Sequence, residues 1–205
     1  MVRYMQIEDE TGIYLVKLAR LAAKQWIEDN LKPQAVEPIP QQAETVTGAF
    51  VTVKTQVDGQ TSLRGCIGYP IGIKPLHEEI IDLAKSSTME DPRFPPVEKA
   101  EFSELVFEVT IMTPPQTIVY ETPQELLDQI TVPGDGLIVE YKGSKGLLLP
   151  QVPIEQNWNK EEFLSYTCRK AYLPTDIWKK EKIIVQKFQG IIFSEEYPDG
   201  EIIRH

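Results

Sequence analysis

Histidine and cysteine are scarce in this chain: two of each in 205 residues, with one histidine, His205, at the last position. Mechanisms built on a histidine cluster are thereby nearly excluded. Cys66 and Cys168 are too few for a disulfide framework and lack the paired spacing of a zinc site. A reducing compartment suits both thiols. Apolar runs are short of the roughly 18 residues a spanning helix needs, and no charged n-region leads into an apolar signal segment, so a cytoplasmic protein without membrane contact is expected. Basic residues are outnumbered, 21 Lys and Arg against 31 Asp and Glu, and the resulting charge of −10 repels a polyphosphate backbone. General nucleic-acid binding is therefore disfavoured. A Gly-rich phosphate loop and an HExxH helix are missing, and the carboxylates are too dispersed to nominate a general acid and base, so no metal ligands and no cofactor are assigned.

What is present reads as an ordinary folded chain, 41% hydrophobic and 25% charged, without the composition of a disordered or fibrous protein. Leu15, Leu18, Ala19, Ala22 and Trp26 recur at helical spacing, with Lys17, Arg20, Lys24 and Glu28 opposite them, which predicts an amphipathic helix from Thr11 to Asn30. The segment from Gly48 to Val57 alternates as a strand does, Asp58-Gly59 supplies a turn, and Pro75 opens a helix running to about Ser87. Phe102 to Met112 alternates again, with Leu105, Phe107, Val109 and Ile111 on one side and Glu104, Val106, Glu108 and Thr110 on the other. Thr122 caps a short helix, 137–141 and 146–149 form a strand pair, Asn159 to Tyr172 is helical, and Ile183 to Phe193 is one late strand. Helices mixed with antiparallel strands, and no long βαβ period, give an α+β fold.

Leu63-Arg64-Gly65-Cys66-Ile67-Gly68 is the most informative stretch, because a strand rarely carries two glycines unless backbone must approach something closely. A two-residue turn would pair Val53 with Arg64 and mix apolar with polar partners. A three-residue turn over Asp58-Gly59-Gln60 pairs Val53 with Gly65 and Val51 with Ile67, and places Lys54 opposite Arg64 and Thr52 opposite Cys66 on the other face. Two facing cations require something negative. Glu108 of the third strand is one candidate and a ligand carboxylate or phosphate, gripped by the arginine fork, is the other.

Cys66 beside those cations is a candidate nucleophile or redox thiol, weighed against the small buried hydrophobe that most free cysteines are. His77, the one internal histidine, lies on a predicted helix and its spacing does not tie it to Cys66. Cys168, in Cys168-Arg169-Lys170, reads more as packing than as chemistry. Asp91, Arg93 and Phe94 stand among three prolines that hold a loop stiffly, either as a binding wall or as a plug with its own ion pair. Leu147 to Val152 and Trp158 read as a strand leading into a helix, with Gln151 the polar exception.

Taken in order, Gly48 to Lys54, Leu63 to Gly68, Asp91-Pro-Arg-Phe94, Leu147 to Val152 and Cys168 to Ala171 resemble the successive motifs of the AMMECR domain family, over roughly residues 10–200. The resemblance implies one α+β domain, with a larger subdomain built from both chain ends around an antiparallel sheet, a smaller internal subdomain, and a cleft between them lined by the hexapeptide. It carries over Lys54, Arg64, Gly65, Cys66, Gly68, Asp91, Arg93, Phe94, Gln151, Cys168 and Lys170 as motif residues. In prokaryotes it further implies association with a Memo-like protein, of a fold class that includes non-haem dioxygenases, and with a radical-SAM protein. The expected function is that of a binding or accessory protein with an electropositive cleft around Arg64 and Cys66, taking an anionic small molecule or such a protein partner. The alternative is an enzyme using Cys66, activated by Lys54 and Arg64.

Overall fold

The computed structural model describes residues 7–29 and 33–205. Helix α1 spans Asp9–Asp29, so the expected helix starts two residues early, and its expected end at Asn30 lies outside the described residues. Asp9 and Glu10 stand in its first turn, where the helix dipole favours negative charge. Strands β1 (Ala49–Val57) and β2 (Gln60–Tyr69) form a hairpin, α2 covers Leu76–Lys85 and continues into a π turn at Ser86–Glu90, and β3 runs Leu105–Met112. The chain then builds β4 (Gln116–Thr117), α3 (Pro123–Asp128), β5 (Gly136–Tyr141), β6 (Ser144–Leu148), α4 (Val152–Glu155), α5 (Lys160–Lys170), α6 (Ile177–Lys180) and β7 (Ile184–Phe188). It closes with β8 (Gly190–Glu195) and β9 (Ile202–Arg204).

These elements divide into two units, 1–112 with 191–205, and 113–190. The first holds a five-stranded sheet in the order β2-β1-β3-β8-β9, and the second a four-stranded sheet in the order β4-β7-β5-β6. With helices on both sheets the fold is α+β. The expected single strand over 183–193 is corrected: β7 and β8 belong to different sheets, separated at Gln189, which exchanges backbone and side-chain hydrogen bonds with Thr113. Val185 enters the second unit's core and Phe193 the first's.

In the first unit, Leu15 and Leu18 of α1 and Ile80 and Leu83 of α2 bury against Val51, Val53, Phe107 and Val109 of the sheet. Each such side chain contributes about 1.5–3 kcal/mol. In the second, Phe163, Leu164 and Cys168 of α5 pack on Leu137, Val139 and Val185. Thr122 caps α3 as expected, and α5 opens with a capping box in which Asn159 accepts from Glu162 N–H while the Glu162 carboxylate takes the Asn159 N–H.

Two buried glutamates differ sharply in how they are held. Glu195 takes both Arg20 Nε and Nη2, at 2.5 and 2.7 Å, and the Phe107 N–H at 2.8 Å, while the guanidinium lies over the rings of Phe102 and Phe107. Glu79 of α2 is fully buried, and neither of its oxygens meets a hydrogen-bond partner among the described residues. Glu195→Ala strands both a guanidinium and a backbone donor and is expected to cost about 3–5 kcal/mol in urea unfolding. Glu79→Met removes an orphaned polar group at similar volume and is expected to leave stability unchanged or raised in the same assay. A loss comparable to that of Glu195→Ala would show that Glu79 has a partner.

Candidate functional site

Asp58 and Gly59 both have positive φ, 51° and 75°, so the hairpin closes with a two-residue turn that pairs Val57 with Gln60. That turn alone would put Val53 opposite Arg64. A bulge intervenes: Lys54 pairs with Leu63 and Val53 with Gly65, leaving Arg64 as the inserted residue. Beyond it the register is the expected one, Thr52 with Cys66 and Val51 with Ile67. The expected pairing of Lys54 with Arg64 is thus corrected, because the bulge turns Arg64 away from the ladder.

Each of the two cations has its own carboxylate. Lys54 Nζ lies 2.7 Å from Glu108 Oε2 on β3. Arg64 grips Glu101 with Nε and Nη2, at 2.8 and 3.0 Å, and donates to the Pro95 and Pro96 carbonyls. The paired hydrogen bonds raise the Arg64 pKa and lower that of Glu101. Of the alternatives open from sequence, Glu108 is the partner of Lys54, whereas Arg64 takes a residue that sequence reasoning missed.

Side chains of the segment that follows α2 hold β2, one bridging its rung with β1 and others covering its open edge. The Ser87 hydroxyl, from the π turn, accepts from Ile67 N–H at 3.1 Å and donates to the Val51 carbonyl at 2.8 Å. It reaches both because the backbone beside it nearly touches Gly65, where a β carbon would stand 1.9 Å from the Ser87 carbonyl oxygen. Gly68 serves packing, its Cβ position being filled by the Phe50 ring across the ladder. Asp91, with only 2% of its side chain exposed, accepts from Cys66 N–H at 2.8 Å and from Arg93 N–H, Nε and Nη2 at 3.1, 2.9 and 2.7 Å. The Arg93 hydrogen bonds, more than the two backbone donors, hold its carboxyl far below the usual aspartate range despite burial. Arg93 Nη2 also donates to the Cys66 carbonyl at 3.0 Å, and its guanidinium lies 5.5 Å from the Phe94 ring centre.

The half-buried Cys66 therefore lies in a lateral row, Cys66-Thr52-Glu108, on the sheet face opposite the core. Its sulfur is 3.2 Å from Thr52 Oγ1. His77 instead places Nδ1 3.1 Å from the Ala43 carbonyl. Cys168 is fully buried in the second unit and burial pushes its thiol pKa up to about 12, so it packs rather than reacts. Gln151, in the same unit, is exposed at the start of α4, and Lys170 is exposed at the end of α5. A groove of about 390 Å³ follows α5, where Arg169 lies 6.0 Å from the Tyr166 ring centre. Among the described residues no cluster of three or more His, Cys, Asp or Glu could hold a metal, and no helix is long and apolar enough to cross a membrane. The residues missed from sequence are Ser87 and Glu101. A polar Ser-Ser-Thr run closing an apolar helix, and the spacing of Glu98 and Glu101 that forms a capping box, are the signals that mark them.

Asp91 also sets a pH dependence. Its folded pKa is depressed, so the stability it contributes is complete above the ordinary value of 3.8 and is lost as pH falls below it. The stability gap between wild type and Asp91→Asn in urea unfolding is expected to be constant from pH 7 to about 5 and to shrink steadily below about pH 4. A gap that widens in acid would refute the assignment.

Comparison with known proteins gives a match to the AMMECR1 family model over residues 16–193. Protein PH0010 of Pyrococcus horikoshii is 46% identical over 200 residues, covering 97% of each chain. A protein of Thermococcus onnurineus is 44% identical over 200 residues at the same coverage. The crystal structure of the uncharacterised protein PH0010 superposes with a TM-score of 0.83, covering 98% of this chain and 99% of that one.

Proposed function

The chain belongs to the AMMECR1 family, and on that basis we propose that it is a binding or accessory protein whose recognition surface is the outer face of β1, β2 and β3 around Cys66. One observation carries this: the two hairpin cations beside Cys66 are held by carboxylates, Lys54 by Glu108 and Arg64 by Glu101, Arg93 is clamped by Asp91, and the thiol's close neighbour is the Thr52 hydroxyl. A nucleophilic cysteine calls for a base in hydrogen-bond reach of the sulfur, and the group found at that distance is a hydroxyl. A recognition surface calls instead for polar groups held still, and the Asp91 and Ser87 hydrogen bonds hold this one. The partners are an anionic small molecule and the Memo-like and radical-SAM proteins that accompany the family in prokaryotes. An electropositive character, in this arrangement, rests on Arg93 rather than on Arg64.

The rival role, Cys66 as nucleophile or redox thiol, separates cleanly by experiment. Calorimetric titration with a Memo-like protein is expected to show binding that Cys66→Ser leaves within about threefold, while a bulky maleimide on Cys66 weakens it at least about tenfold, or 1.4 kcal/mol. If Cys66→Ser abolishes the interaction, or a covalent adduct forms at Cys66, the thiol acts chemically. If neither the substitution nor the label changes any binding, the face is not the recognition surface.

A further inference from the structure

We infer, resting on the recognition face just proposed, that its ligand presents a single carboxylate and that Arg93 receives it. Arg93 differs from the other two motif cations in what it leaves open. Arg64 has only 12% of its side chain exposed and is committed through three nitrogens, and Lys54 is tied to Glu108. Arg93 is 52% exposed. Of the five N–H donors of its guanidinium, Nε and one of Nη2 go to Asp91 and the other of Nη2 to the Cys66 carbonyl. Nη1 meets no hydrogen-bond partner among the described residues, which leaves its two N–H groups available to an acceptor from outside.

The side chain is also fixed before any ligand arrives. Asp91 is itself buried and anchored to the Cys66 and Arg93 backbone N–H groups, and it clamps the guanidinium from behind while the Phe94 ring lies beside it. Asp91 is thus a positioning residue and Arg93 the contact. Rotamer freedom that a surface arginine would lose on binding is already spent in folding, which favours even a small ligand.

Charge selects the class of anion. Arg93 with Asp91 and Lys54 with Glu108 are two cations against two carboxylates, so these pairs add no net formal charge, on a chain carrying −10. A doubly charged phosphate would meet one open nitrogen and an acidic protein field. A singly charged carboxylate asks for one positive contact, which the two N–H groups of Nη1 supply. Its source is either a free small acid or the terminus of a polypeptide.

Side-chain and backbone ¹⁵N NMR at pH 7 and fixed ionic strength tests this with benzoate, inorganic phosphate, and a short peptide ending in a free carboxylate beside its amidated twin. Benzoate or the free-acid peptide is expected to shift the Arg93 guanidinium and the Cys66 amide saturably, the stronger of the two naming the source. Phosphate and the amidated peptide are expected to bind at least about tenfold more weakly. Arg93→Lys keeps the charge and a partner for Asp91 but loses the Nη1 donors, and at unchanged melting temperature it is expected to weaken binding about tenfold. Equal or tighter phosphate binding, indifference to the amidation, undiminished binding by Arg93→Lys, or no saturable shift would overturn the inference. Loss of the NMR response with partner binding still sensitive to the Cys66 label would overturn the carboxylate alone, whereas insensitivity of both would remove the recognition face as well.

Discussion

Where β2 passes the π turn that ends α2, the two backbones meet at Gly65 and Ser87 with no space for a β carbon. That approach lets a serine hydroxyl sit across the Val51 and Ile67 rung, and it brings the following residues along the strand edge so that Asp91 reaches the Cys66 N–H. Arg93 is then held by Asp91 on one side and by the Cys66 carbonyl on the other. The edge strand, which would otherwise offer unpaired donors and acceptors to another chain, is covered by its own following loop. The order of the motif follows: glycine for the approach, cysteine for a small polar side chain beside Thr52, and arginine in the bulge to fasten the 95–101 segment.

Formal charge in the motif therefore misleads as a guide to potential. Arg64 and Lys54 look like an anion site when written in sequence, yet the bulge separates them and each meets a carboxylate from an element far along the chain. Arg64 contributes to structure by tying two proline carbonyls and Glu101 to the hairpin. The cation left with open donors comes from the proline-framed loop and owes its position to a buried aspartate. Buried ion pairs of this kind fix geometry more than they add stability, since desolvation offsets much of their attraction.

Periodic features were legible in the sequence and contacts between distant segments were not. Leu105, Phe107, Val109 and Ile111 alternate with all four buried, so β3 could be argued from pattern alone. Thr122 and Asn159 announced their helices through capping chemistry. The hairpin turn was ambiguous for a definite reason: a two-residue turn with one bulged residue and a three-residue turn without a bulge give the same pairing at Val53 and Gly65. Ile183 to Phe193 carries no local mark of a change of sheet, because which partner a strand finds depends on residues about fifty to eighty positions away. Strand β9, three residues long, is too short for a period to show. In the site, Thr52 and Cys66 followed from register and Glu108 from the need for a counter-charge, whereas Ser87 and Glu101 act through contacts across 20 and 37 residues that leave no repeat.

Amide hydrogen exchange at Cys66 and Ile67, in wild type and in Gly65→Ala, measures the governing contact directly, since these two N–H groups donate to Asp91 and Ser87 across the junction. In wild type both are expected to be protected although they lie on an edge strand. In Gly65→Ala both are expected to exchange on the order of a hundredfold faster, while amides of β3 stay protected, because the added methyl pushes the π turn off the strand without unfolding the sheet. Unchanged protection at Cys66 and Ile67 in the variant would contradict the view that this close approach holds the site together.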